Sequence, residues 1–482
     1  MNEFDYLAKA KNNMEKEKYH EVISFCDKAL KINNDLPEAY SFKGNALYNL
    51  GEYNDAAKSF SHAIEKEPDE AEHYYDRSWS YCNMDKFEDA IVDMNKALEI
   101  EPKTSAFYYD RGRFEYWAER YKDAVISFTK GIELKPTENK YLFRANSYME
   151  LEEFDLALAD FNSSIEIDPE FAKAYFRRGI LYKKMELLEN AAKDFKKAIE
   201  LEPKYDDAMI ELGYALIQMG KKDGMKYFNQ AIKVNPCGGN YFCRFDARGR
   251  ILSRKDSIKN FAEGKFVHYN TFESEIFNKK QAKDDINDLS KVISYEANDD
   301  TFLLRLRAAR YRYLGDYINA INDCSAIIEL EPDNEQAYIA RAISRYEYGL
   351  YKDAVEDCNM FFKLKNCRNL EDALNVLFLK IKSEYKLGQY KAVIKDTDKA
   401  LLFRNGCGLH YYKGLANFKL KHFMRSYKNF IKAIELRSDV EKCYDEKIPA
   451  PIKFAISFMD GFSEDKKVSD TPIGLCQMNI KE

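Results

Sequence analysis

The sequence predicts an all-α fold made of one repeated pair of antiparallel helices, and three observations predict it. Six prolines, Pro68, Pro102, Pro136, Pro169, Pro203 and Pro236, recur every 33 or 34 residues and close similar phrases such as EKEP, EIEP and ELEP. Small and large residues keep fixed places inside that period. Composition fits a folded chain, since 45% of the 482 residues are hydrophobic and 32% charged.

Each unit can be numbered back from its proline as position 32. Position 8 then holds Gly44, Ser78, Gly112, Ala145 and Gly179, and position 20 holds Ala56, Ala90, Ala124, Ala157 and Ala191. Position 4 is tyrosine throughout (Tyr40, Tyr74, Tyr108, Tyr141, Tyr175), and position 24 is large (Phe60, Met94, Phe128, Phe161, Phe195). Small residues let two helix backbones approach, large ones fill the gaps beside them, and proline stops the second helix. This pattern resembles the tetratricopeptide repeat (TPR) family. The resemblance implies an α-solenoid, a right-handed superhelix of about 12 helix-pair units that holds protein partners along its concave surface. It specifies fold and leaves function open.

In chain order the repeats fall at 3–36, 37–70, 71–104, 105–137, 138–171, 172–205 and 206–237, an amino-terminal array over 1–237. The segment 238–300 reads as a degenerate repeat. NYFCRFDARGRILSRKD is its first helix and QAKDDINDLSKVISYEAND its second, parted by an insertion of roughly 27 residues near 254–280. Its NFAEGKFVHYNTFESEIFN stretch either plugs the stack or gates it. Repeats resume at 301–334, 335–368, 374–407 and 407–440 as a carboxy-terminal array over 301–440, followed by capping helices in 441–462 and a tail in 463–482.

Catalytic and cofactor classes find no support. There is no H-E-x-x-H, G-x-x-x-x-G-K-[ST], G-x-S-x-G or G-x-G-x-x-G, and the six histidines sit at no metal-ligand spacing. The expectation is a non-enzyme without metal or cofactor. Ten cysteines form no C-x-x-C pair, and Cys26, Cys324 and Cys358 lie on apolar stripes as small hydrophobes. The charged start MNEFDYLAKAKNNMEKEK is no signal peptide, and no apolar run approaches the ~18 residues of a membrane span. A cytoplasmic protein is expected.

Helix phase singles out a binding face. Positions 4, 8 and 11 share the core stripe, and positions 5, 9, 12 and 13 share the groove stripe. Tyr74, Ser78 and Tyr81 should pack inward while Tyr75, Trp79 and Cys82 face the groove. The candidate groove residues are Asn45, Tyr48, Tyr75, Trp79, Tyr109, Arg113, Tyr116, Trp117, Asn146, Lys173 and Arg177. Tryptophan and arginine are enriched at binding hot spots, and an aromatic floor with a basic far wall suits an extended peptide bearing an acidic group. Within the TPR resemblance, the carboxylate clamp of chaperone-binding members needs lysine, asparagine, asparagine, lysine and arginine. Here Ser41, Asn45, Asp76, Ala106 and Asp110 stand in those places; only Asn45 matches, and two carboxylates would repel the ligand.

The function this supports is a non-catalytic adaptor or scaffold. The alternatives are an accessory or regulatory subunit of a separate enzyme or secretion or assembly machine, and a nucleic-acid binder acting through the basic carboxy-terminal repeats. The net charge of -6 argues against the last. Charge is also uneven: residues 37–104 carry 7 Lys+Arg against 15 Asp+Glu, and 374–437 carry 14 against 4. Opposite ends of this kind would steer unlike partners or favour self-association.

Overall fold

The computed structural model describes residues 1–221, 223–262, 279–295, 300–364 and 370–436. Among these the chain is helical and contains no strand. It divides into two compact units, Met1–Pro236 with Asp246–Asp256, and Cys237–Phe245 with Ser257–Glu482.

The first unit opens with α1 (Glu3–Met14) and α2 (Tyr19–Ile32), then α3 (Pro37–Asn49) and α4 (Tyr53–Lys66). It continues with α5 (Ala71–Cys82) and α6 (Phe87–Ile100), α7 (Ser105–Trp117) and α8 (Tyr121–Leu134), and α9 (Glu138–Glu150) and α10 (Phe154–Ile167). The helices α11 (Ala172–Lys184), α12 (Leu188–Leu201), α13 (Asp206–Gln218) and α14 (Gly224–Val234) complete it, with part of α15 (Gly238–Ala262). From α4 to α14, each second helix stops two residues before its proline, as at Leu134 and Pro136, where the ring would remove a helical hydrogen bond.

Each pair closes on the small-against-large contact. A side chain at Gly112 would lie 2.7 Å from the Phe128 ring, and one at Gly179 2.6 Å from Phe195. Where methionine replaces the ring, Ser78 fits, and its hydroxyl donates to Met94 Sδ at 3.2 Å. Among the described residues, each turn between paired helices places one residue in the left-handed region. Glycine fills it at Gly51, Gly315, Gly349 and Gly388, but Asp85, Glu119, Glu152 and Glu186 fill it at φ near +60° in the first unit.

A polar ladder runs beneath the packing. Arg77 grips Asp93 with two hydrogen bonds of 2.8 and 2.7 Å, and its third arm donates to Ser61 on the preceding second helix. The same fork recurs at Arg144–Asp160, Arg178–Asp194, Arg307–Asp323 and Arg341–Asp357, always 16 residues apart. Planar bidentate geometry is what guanidinium and carboxylate do best, and here it ties three helices together.

The second unit contains α16 (Lys279–Tyr295), α17 (Thr301–Leu314), α18 (Tyr317–Leu330), α19 (Glu335–Tyr348) and α20 (Tyr351–Lys363). It ends with α21 (Leu370–Lys386), α22 (Tyr390–Leu401), α23 (Cys407–Lys419) and α24 (Phe423–Glu435). Its Arg244, on α15, grips Asp288 on α16, 44 residues away instead of 16. That spacing fixes α15 and α16 as one repeat opened by 28 extra residues. The first helix of this repeat does not end near residue 254 but runs on to Ala262. The rest of the insertion, 263–278, and the capping and tail segments 441–462 and 463–482 lie outside the described residues.

Cys26, Cys324 and Cys358 are buried in the helix packing, and burial pushes each thiol up to about 12. No described helix is long and apolar enough to cross a membrane.

Candidate functional site

The residues singled out in the sequence sit on five first helices of the amino-terminal unit: α3, α5, α7, α9 and α11. The centre is Arg113 on α7. Its guanidinium lies 4.9 Å from the Trp79 ring and 4.8 Å from Trp117, with Tyr109 at 5.5 Å and Phe143 at 5.8 Å. Trp79 meets the buried Phe114 edge-on at 5.1 Å, which anchors the stack to the core. Both tryptophans of the chain thus share one cation.

Three side chains stand otherwise than helix phase predicts. Arg113 is not a free cation: Asp110, one turn earlier, pairs with it at 3.0 Å, and the guanidinium Nε is buried without a partner. Asn146 is 2% exposed, and its carbonyl oxygen is buried without a hydrogen bond, so it belongs to the packing beneath the face. Cys82 is also buried, although the Arg113 charge still acts on it. Tyr75 is half-buried, and its hydroxyl donates to Asp110 at 3.0 Å.

The remaining candidates divide into two ends. On α3, Asn45 donates to Asp76 on α5 at 3.2 Å, and the Tyr48 hydroxyl accepts from Asn83 at 2.9 Å. Asn45, Tyr48, Asp76 and Trp79 line a cleft of about 250 Å³. At the other end Lys173 reaches within 5.9 Å of the Phe143 ring. Arg177 acts by its charge on Tyr116, Tyr205 and Asp207. Neither Lys173 nor Arg177 has an ion pair among the described residues. On the same side as Lys173, Tyr116 makes ring contacts with Phe143 at 6.2 Å and Tyr121 at 5.5 Å.

Phe143, at position 6, and Lys140 go beyond the candidates the sequence offers, whereas Asp76 and Asp110, also at position 6, stand there only as mismatches to the carboxylate clamp. Position 6 shares a helix face with positions 9 and 13, three and seven residues on, so the spacing itself held the signal. Lys140 is buried with its ammonium on the Lys135 carbonyl at 3.1 Å, and burial lowers its pKa. Burial raises the pKa of Asp110, opposed by Arg113. Asp76 is pushed up to about 7 by burial and by Glu72, with only the Asn45 amide in opposition. Among the described residues no group of three or more His, Cys, Asp or Glu could hold a metal ion.

Comparison with known proteins agrees with this architecture. Tetratricopeptide repeat models match residues 37–70, 71–104 and 172–205, and a related TPR repeat model matches 145–186. A tetratricopeptide repeat protein 4 homolog from Dictyostelium discoideum is 25% identical over 139 residues, which is 28% of this chain. The match spans 33% of that relative's length. Among solved structures, YrrB, a TPR protein with an unusual peptide-binding site, is 22% identical. It covers 40% of this chain and 99% of its own, with a TM-score of 0.33. The Naa15/Naa10 structure bound to HypK-THB is 14% identical over 90% of this chain and 76% of its own, also with a TM-score of 0.33.

Proposed function

The chain belongs to the tetratricopeptide-repeat superfamily, and from that premise we propose that it is a non-catalytic adaptor holding an extended partner segment across α3, α5, α7, α9 and α11. One observation supports this reading: half-open rings stacked on Arg113 adjoin two cations, Lys173 and Arg177, that have no ion pair among the described residues. Stacking an aromatic floor on an internal ion pair fixes its rotamers before a ligand arrives, so little side-chain entropy remains to be lost on binding. The uncommitted cations then supply the charge for an acidic residue of the partner.

Arg113 has a different role from the one its residue type first suggested. Engaged by Asp110, it shapes the floor, and the ligand's carboxylate goes to Arg177 and Lys173. The test is a peptide array probed with the full chain. Arg177→Glu with Lys173→Glu should abolish binding of acidic peptides, whereas Arg113→Lys should weaken all peptides alike. Retention of acidic peptides by the double variant would refute the assignment.

A further inference from the structure

The cleft between α3 and α5 has chemistry opposite to the basic end. Asp76 stands in it with its carboxylate largely withdrawn from water, one hydrogen bond from Asn45, and no cation partner among the described residues. A second carboxylate, Glu72, acts on it by its charge. Tyr48 and Trp79 supply the walls.

One repeat further on, the same scaffold solves the same problem internally. Asp110 occupies the place on α7 that Asp76 occupies on α5, and it has both the Tyr75 hydroxyl and the Arg113 guanidinium. That guanidinium lies against Trp79 and Trp117 while it pairs with the carboxylate. At Asp76 the carboxylate and the aromatic wall are present, and the cation is the missing part. An organic cation fits this setting better than a metal ion, because two rings and an amide offer a flat face and few anionic ligands.

We propose that the Asn45–Tyr48–Asp76–Trp79 cleft receives an arginine side chain of the bound partner segment, its guanidinium pairing with Asp76 and lying against the Trp79 ring. Arginine is favoured over lysine because a planar guanidinium can stack and donate two hydrogen bonds at once. Charge complementarity extends beyond the cleft, since residues 37–104 carry 15 acidic against 7 basic residues. This inference rests on the groove reading above and adds polarity to it: the partner presents arginine to α3 and α5 and its acidic residue to α11.

The test uses the full chain and three pools of random nonapeptides with arginine, lysine or norleucine fixed at the centre. Binding is read by fluorescence polarisation and by the two indole N–H resonances in NMR. The arginine pool should bind at least tenfold tighter than the norleucine pool, with lysine between, and should shift the Trp79 indole. Asp76→Asn, which keeps a hydrogen-bonding group for Asn45, should reduce that preference below threefold with unchanged circular dichroism. An undiminished preference in Asp76→Asn, or an arginine preference that leaves the Trp79 indole unmoved in the wild type, would overturn the proposal. Pools that shift an indole with no arginine preference would defeat this inference alone, whereas pools that bind without moving either indole would defeat the groove reading too. A salt-sensitive dimer abolished by Asp76→Asn would place the cation on a second copy and contradict its assignment to a partner.

Discussion

The amino-terminal and carboxy-terminal units carry the same ladder inside and opposite surfaces outside. Arg77–Asp93 in the first has the fork geometry of Arg307–Asp323 in the second. Where α5 and α7 carry Trp79 and Arg113, α17 carries Ala309; where α7 carries Asp110, α19 carries Ala340. The first unit therefore has a ring-filled face, and the second has a cavity of about 300 Å³ with Ala308, Ala309, Ala337 and Ala340 in its lining and Phe302 and Arg305 beside them. The fold places its demands on positions 8 and 24, and in the repeats that carry the ladder on positions 7 and 23 as well. Positions 6 and 9 are left to determine what the face can hold.

The largest effect should come from breaking what the units share. Asp93→Ala and Asp323→Ala each leave a mostly buried guanidinium unpaired, a loss of about 3–5 kcal/mol by denaturant unfolding. Similar losses in both units would establish the ladder as common framework, and a loss below about 1 kcal/mol in either would break the comparison.

A second effect separates the surface carboxylates from the ladder. Asp76 has a folded-state pKa of about 7, above its unfolded value, so the folded state binds the extra proton. Its contribution is greatest below about pH 4 and is lost as pH rises through about 7. Asp76→Asn should flatten that slope and stabilise the protein by roughly 2–4 kcal/mol at pH 8 relative to pH 4, measured as unfolding free energy at both values.

Exchanging the surfaces tests whether they are separable from the fold. Trp79→Ala removes the ring between Arg113 and Phe114 and should cost about 1–3 kcal/mol. Ala309→Trp adds a ring beside an existing cavity and should change thermal stability by less than about 1 kcal/mol. The smallest effect belongs to the turns. Glu119→Gly at φ +59° should stabilise the first unit by about 0.5–1 kcal/mol, bringing its turn to the residue type the second unit uses at Gly315.

Much of the fold was legible because its signals are local. Proline spacing, Gly112 against Phe128 and tyrosine at position 4 recur within one repeat and need no knowledge of distant contacts. The ladder was equally legible, since Arg77 and Asp93 keep the spacing of Arg144 and Asp160, but a survey of small and large residues passes over charged pairs. The face was legible in identity and not in state. Trp79, Arg113 and Trp117 were found, but Arg113 is neutralised by Asp110 on its own helix, a contact that depends on rotamer and burial. Asn146 was misplaced because helix phase alone does not separate the edge of a face from the packing below it.

If the face around Trp79 and Trp117 receives the partner, the chain's two tryptophans report on it directly. The decisive measurement is an NMR titration of the full chain, following both indole N–H resonances against a peptide pool carrying one arginine and one glutamate. Saturable shifts of both resonances are expected, with the Trp79 shift lost in Asp76→Asn and overall affinity lost in Arg177→Glu. Saturable binding of that pool with both indoles unmoved would contradict this placement of the partner.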